Sequence, residues 1–195
     1  GYRLIAGVDE AGRGALFGPV VAAAVVLPVD WDPARAPDLT DSKLLTPAQR
    51  QRLYNVILAE AQSWAVGAAP AAIIDEDGIV PATLRAMSEA IAGLACDPEM
   101  LVVDGMGPLP AGRRACAVID GDRLCSSVAA ASIVAKVTRD RMICELASAY
   151  PAYGLEANKG YGTPEHLLAL ERHGPCLQHR RSYAPVAAAC WPPPR

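Results

Sequence analysis

No apolar run near the start of this sequence is long enough to cross a bilayer. The longest there, Pro19 to Pro28, spans 10 residues, about half of what a membrane-crossing helix needs. The opening Gly-Tyr-Arg-Leu-Ile turns acidic at Asp9, so the basic start and long apolar middle of a secretory leader are missing too. A cytoplasmic protein is expected, with the first residue, Gly rather than Met, leaving room for a trimmed leader or an extra domain. C-x-x-C pairs are absent. The six cysteines, Cys96, Cys116, Cys125, Cys144, Cys176 and Cys190, are irregularly spaced, which counts against zinc clusters and disulfide frameworks. Each is expected as a small buried apolar side chain. His166, His173 and His179 show no metal-pair spacing and are expected at the surface or facing phosphate. There is no G-x-x-x-x-G-K-[ST] loop, no G-x-G-x-x-G and no nucleophile-elbow serine, so P-loop nucleotide binding and covalent catalysis lack their usual signatures.

What the sequence does contain is a folded domain. Its 195 residues are 52% hydrophobic and 20% charged with a net charge of −3, unlike a disordered chain, which is poorer in Val, Ile and Leu and more unbalanced in charge. A chain of this length buries roughly 70% of its unfolded surface, enough for one compact unit. Charge is distributed unevenly: residues 1 to 135 carry a net −6 and residues 136 to 195 a net +3. Phosphate contacts depend on where cations cluster, so the basic C-terminal part is a candidate nucleic-acid face; an ordinary solvated mixture of charges is the alternative.

Arg3 to Asp9 and Pro19 to Leu27 read as a hairpin-like pair of strands split by Gly12-Arg13-Gly14. Thr46-Pro47 marks a helix start before Leu53, Val56, Ile57 and Ala61. Trp64 to Ala69 reads as a third strand and Pro81 to Leu94 as a helix. Met100 to Asp104 and Ala115 to Ile119 are short buried strands closed by Asp-Gly turns. Val128 to Ala149 reads as a long helix, Thr163-Pro164 to Arg172 as a shorter one, and Ala184 to Pro194 as a fraying tail. The pattern predicts an α/β protein, a mixed central β-sheet flanked by helices with a helical C-terminal portion.

The first strand ends in adjacent acids, Asp9 and Glu10, and Asp104 and Asp122 end or follow other apolar runs. Side chains alternate along a strand, so Asp9 and Glu10 share a face only where the chain bends, a bend that Gly12 and Gly14 can supply. Four carboxylates converging at one sheet edge repel one another and raise their own pKa values, and a divalent cation resolves that conflict. Oxygen-only ligands favour Mg²⁺ or Mn²⁺ over zinc, and two such ions about 3.5–4 Å apart serve phosphoryl chemistry. Acids after strands are also turn formers and helix caps. The glycines around Arg13 let backbone approach a sugar closely, because no Cβ intervenes.

Gly7-Val-Asp-Glu-Ala-Gly-Arg-Gly14, Asp41-Ser-Lys43, Val103-Asp-Gly105, Asp120-Gly-Asp122, Ala130-Ala-Ser-Ile-Val-Ala-Lys-Val-Thr-Arg-Asp140, Lys159-Gly-Tyr-Gly-Thr163 and His179-Arg-Arg-Ser-Tyr-Ala-Pro185 together resemble bacterial ribonuclease HII, in order, from about residue 4 to 186. The resemblance implies an RNase H-like fold in one catalytic domain over 1–186, its helical C-terminal part at about 140–186, followed by a Pro/Ala-rich tail at 187–195. It implies endonucleolytic hydrolysis of RNA in RNA–DNA hybrids and incision 5′ of a single ribonucleotide embedded in duplex DNA, leaving 3′-hydroxyl and 5′-phosphate ends. It makes Asp9, Glu10, Asp104 and Asp122 the metal-binding catalytic acids for Mn²⁺ or Mg²⁺, with Asp120 as the neighbour most easily confused with Asp122. Gly12, Arg13 and Gly14 match the loop that grips the 2′-hydroxyl, and Tyr161 the tyrosine that stacks on the adjoining deoxyribose. Ser42, Lys43 and Lys136 match phosphate contacts, which Arg180 and Arg181 extend as a basic track. Leu44, Ala15 and Met106 depart from the family pattern, and Met106 is expected to alter packing around the third acid. The expected partners are RNA–DNA hybrid and ribonucleotide-containing duplex DNA, with no membrane, no obligatory protein partner and a monomeric state. A catalytically silent nucleic-acid-binding module and a related nuclease acting on all-DNA junctions are the competing functions.

Overall fold

Two largely buried apolar segments set the centre of the molecule. β1 (Ile5–Ala11) pairs antiparallel with β2 (Val20–Val26), Asp9 opposite Ala23 and Glu10 opposite Ala22. All seven residues of β2 are buried, as its run of Val and Ala requires when both faces are covered. In this computed structural model, which describes residues 1–107, 109–110 and 112–189, a five-stranded sheet forms in the order β3-β2-β1-β4-β5. β3 (Ser63–Ala69) continues the antiparallel half, while β4 (Met100–Asp104) and β5 (Ala115–Val118) run parallel to β1.

The helices lie on both faces. α1 (Pro47–Glu60) begins at a capping box in which Thr46 accepts from the Gln49 N–H and Gln49 accepts from the Thr46 N–H, with Pro47 at a position where its missing N–H costs nothing. Short α2 (Ala71–Asp77) and longer α3 (Ile79–Ala92) follow, and α3 covers the sheet face that carries Ala6, Val8, Ala22, Ala24 and Val103. α4 (Gly121–Leu124) leads into α5 (Ser126–Ala147), which with α1 covers the other face, over Ala11, Ala23 and Val25. A Cβ on Gly7 would fall 2.0 Å from the Ser127 carbonyl carbon, so α5 comes this close to β1 only because residue 7 has no side chain.

α6 (Leu155–Asn158), α7 (Pro164–His173) and α8 (Ala184–Ala189) complete the chain. They close a separate apolar cluster around Phe17, the single phenylalanine, with Ile143, Tyr153, Leu155, Leu170 and Val186. No helix among the described residues is long and apolar enough to cross a membrane.

Several expectations are corrected. The strand expected to end at Asp9 runs on to Ala11. Ala184 to Ala189, expected to fray, is helical because Val186 is wholly buried; residues 190–195, Cys190 among them, lie outside the described residues. None of the five described cysteines is fully buried, and Cys144 is exposed. His166 and His179 are not surface groups: they are 0% and 1% exposed.

Candidate active site

Continuation of β1 through Glu10 divides its two acids. Odd-numbered residues of the strand face α5 and even-numbered ones face α3, so Asp9 and Glu10 point to opposite sides. Val8 pairs with Val103 in the parallel ladder, which places Asp9 beside Asp104 at the C-terminal ends of adjacent strands. Asp122 enters from the first turn of α4, just after β5. Asp9, Asp104 and Asp122 each offer a carboxylate oxygen, and these lie within 4.8 Å of one another. Asp9 and Asp122 are buried. Asp104 is half-buried, with Oδ1 accepting from the Gly121 N–H at 2.8 Å.

Glu10 stands outside this trio, accepting from Arg13 at 3.3 Å. Together with Asp104 it lines a cavity of about 120 Å³ against Val80, Thr83 and Met87 of α3. Asp120 is exposed and apart from the cluster. Met106 borders the same cavity and is 82% exposed.

The cluster is electrostatically uncomfortable without a cation. Burial, then Glu10 and Asp104, push the Asp9 carboxyl well above its ordinary range; the Ser132 hydroxyl and the Glu10 N–H oppose this. Burial raises Glu10 against the nearby Arg13 guanidinium. Burial, Asp41 and Asp104 push Asp122 up to about 6. Asp41, at the head of the Asp41-Ser-Lys43 motif, is therefore part of the site's electrostatics. Like charges held in a poorly solvated pocket stay there by taking up protons or a cation. The donors are all oxygen, a set that suits a hard divalent cation better than zinc.

The residues expected to hold substrate are distributed unevenly. Arg13 and Gly14 are exposed, and Gly12 is buried beneath them. Gly14 has an ordinary φ and no heavy atom within 4 Å of the position a Cβ would take, so nothing inside the protein requires glycine there. Lys43 is exposed, 3.5 Å from Asp41. Lys136 pairs with Asp140 at 2.8 Å and sits 5.2 Å from the Tyr161 ring centroid. Lys136 and Tyr161 line a cleft of about 700 Å³ together with Arg50, Arg141 and Lys159. Arg181 is exposed, its N–H donating to Asp75.

Two expected phosphate contacts are corrected. Ser42 is buried and its hydroxyl accepts from Ser132 at 2.9 Å. Arg180 is fully buried, donating to the carbonyls of Gly18 at 3.0 Å and Arg13 at 2.9 Å. Through Arg13 it braces the Gly-Arg-Gly turn from inside, with the Tyr183 hydroxyl donating to the same carbonyl.

His166 and His179 form a second internal support. The Cys176 N–H donates to His179 Nδ1 at 3.1 Å, which leaves the proton on His179 Nε2; that group donates to His166 Nε2 at 3.1 Å, and His166 Nδ1–H donates to the Tyr161 carbonyl at 2.9 Å. One neutral tautomer of each ring satisfies every bond. Burial, and secondarily His166, lowers His179 to about 4. Below pH 6.5 the unfolded chain gains a proton that the folded chain refuses until about pH 4, so this ring costs stability as pH falls, up to about 3 kcal/mol. The raised carboxyls act in the opposite direction. The expected result is therefore read as a difference: urea titrations at pH 7.5, 6 and 5 should show wild type losing stability relative to His179→Gln by about 1.4 kcal/mol per pH unit below 6.5.

The family model for ribonuclease HII matches residues 6–186. A ribonuclease HII of Xanthobacter autotrophicus is 55% identical over 187 residues, covering 95% of this chain and 73% of the relative. One from Acidovorax sp. is 52% identical, covering 97% of this chain and 90% of the relative. The crystal structure of the ribonuclease H2 from Pyrococcus horikoshii superposes with a TM-score of 0.82 at 29% identity, over 96% of this chain and 97% of that one. The mixed sheet with helices on both faces is thus the RNase H-like α/β fold. With its sequence matched from Ala6 to Val186 and its acids gathered at the parallel edge of that sheet, the chain belongs to the ribonuclease HII family.

Proposed function

We propose that this ribonuclease H hydrolyses the RNA strand of RNA–DNA hybrids and incises duplex DNA 5′ of a single embedded ribonucleotide, with Asp9, Glu10, Asp104 and Asp122 holding Mg²⁺ or Mn²⁺. The observation that carries the reading is the convergence of three carboxylate oxygens within 4.8 Å close to a turn whose Gly14 is open to solvent. When bound, such ions supply an activated water and neutralise charge developing at the scissile phosphate.

The chain's own residues supply orientation. Asp9, on the α5 side of β1, accepts from the Glu10 N–H, and Asp104 is held by the Gly121 N–H. Glu10 is kept by Arg13 at the mouth of the cluster, on the α3 side. The open backbone at Gly14 accepts a ribose edge where a side chain would stand in the way, and the 2′-hydroxyl there is what separates RNA from DNA. Tyr161 offers its ring to the adjoining sugar. Lys43, Lys136 and Arg181 supply positive charge for phosphates. Water adds to phosphorus, the bond to the 3′-oxygen breaks, and the products carry 3′-hydroxyl and 5′-phosphate ends. The setting is the cytoplasm, where ribonucleotides and RNA primers are removed from DNA.

Purified protein should nick a duplex carrying one ribonucleotide when Mg²⁺ or Mn²⁺ is present and stop when EDTA is added, leaving an all-DNA duplex whole. Salt-sensitive binding without cleavage would instead mark a silent binding module. Cutting of the all-DNA strand would mark a nuclease indifferent to the 2′-hydroxyl.

A further inference from the structure

Arg139, on α5, has no ion-pair partner among the described residues. It is fully buried, and burial lowers its pKa. A buried cation is expensive unless its donors are used, and here all three nitrogens are used on backbone. Nε donates to the Pro19 carbonyl at 3.1 Å, one terminal nitrogen to the Lys159 carbonyl at 2.9 Å and the other to the Phe17 carbonyl at 3.0 Å. The guanidinium carbon is 5.1 Å from the Tyr161 ring centroid. A Cβ on Gly12 would stand 1.9 Å from Nε. One planar group therefore touches the Gly-Arg-Gly turn, the segment that follows it, and the Lys159–Tyr161 segment.

We propose that Arg139 is a positioning residue that fixes the Gly12–Gly14 turn and the Tyr161 ring at one mutual distance and angle, and that it thereby sets the enzyme's selection of ribonucleotide. The inference rests on the functional reading above, in which those two elements hold the sugar from two sides. Other residues support one side each. Arg180 holds Arg13 and Gly18, and His166 holds Tyr161. Arg139 spans both, which a point charge on a flexible stem cannot do: the guanidinium presents donors in a rigid fork, and lysine presents three on one atom. Cost without an ion pair is consistent with a group retained for geometry.

The test is a double-mutant cycle on single-ribonucleotide duplex with Mn²⁺. Arg139→Lys should fold, as read by circular dichroism, and lose about 10- to 100-fold in kcat with KM within about threefold, the pattern of lost orientation. In a Tyr161→Ala background the same change should cost less than about threefold more, because there is no longer a ring to position. Losses that multiply would show a general packing role and overturn the proposal. If Arg139→Lys does not fold, the wild-type Arg139 Nε resonance decides. It should shift on binding a ribonucleotide-containing duplex in EDTA and stay put with all-DNA duplex, and an unmoved resonance in both overturns the proposal. Wild-type protein that leaves the ribonucleotide duplex intact overturns the functional reading, and this inference with it; an active wild type with multiplying losses overturns this inference alone.

Discussion

Asp9→Asn is expected to lower kcat by about 10³-fold or more while raising the thermal midpoint of the metal-free protein. The loss follows from removing an anionic ligand from the group that stabilises charge at the reacting phosphate, an effect in the ~10²–10³-fold class even for a single hydrogen-bond donor. The gain in stability follows from the same atoms. Asp9 is buried beside Glu10 and Asp104, which raise its pKa together with burial, so above the ordinary carboxylate range the folded state bears either that repulsion or a forced proton, and the unfolded chain neither. Asparagine keeps the shape and an oxygen to accept the Glu10 N–H, now at 2.7 Å. Relief of about 1–2 kcal/mol corresponds to roughly 2–8 °C in a chain of this size. Scanning calorimetry in EDTA and then in Mn²⁺ checks both halves: wild type should gain stability with the ion, the variant little. A metal-free midpoint below wild type would show that the carboxylate is bound by contacts stronger than the repulsion.

Gly14→Ala and Gly12→Ala should part company. At Gly14 an added Cβ meets nothing within 4 Å, so the variant should fold with its midpoint within about 2 °C of wild type and lose about 10²-fold on the single-ribonucleotide duplex, the penalty of a misplaced sugar. At Gly12 the Cβ lands on Arg139, and φ is +92°, a conformation that L side chains rarely adopt. That variant should unfold several degrees lower before activity is considered. Urea melts paired with cleavage rates separate the two. Unimpaired cleavage by Gly14→Ala would remove the sugar from the turn. Two glycines of one motif are thus kept for different reasons, one facing outward and the other making room for a buried guanidinium.

This distinction was not legible in the sequence, where both glycines read as room for a ligand. The strands and longer helices were legible because apolar alternation, a Thr-Pro start and an uninterrupted alanine-rich run each carry a local cause. α2, α4, α6 and α8 were not, since helices of four to seven residues depend on what they pack against more than on propensity. Gathering of the acids could be foreseen from strand ends. The parting of Asp9 and Glu10 could not, because it depended on where β1 stops. The role of Arg180 was hidden for a similar reason: its partners lie 162 and 167 positions earlier in the chain. Arg139 did leave a signal. Ser132, Lys136 and Arg139 fall at i, i+4 and i+7 on one face of an otherwise alanine-rich helix, a polar stripe pointing at the site.

The parallel pairing of β1 with β4 also bears on how the enzyme comes into being. The two strands are separated by almost a hundred residues, and Asp122 follows later still. Contacts so distant in sequence must overcome loop-closure entropy before they return any stability, and form slowly. A nascent chain that has emerged as far as β3 can zip its antiparallel half with its acids still apart and hydrated. The acids of the site can therefore meet only after β4 and α4 have joined the antiparallel half of the sheet.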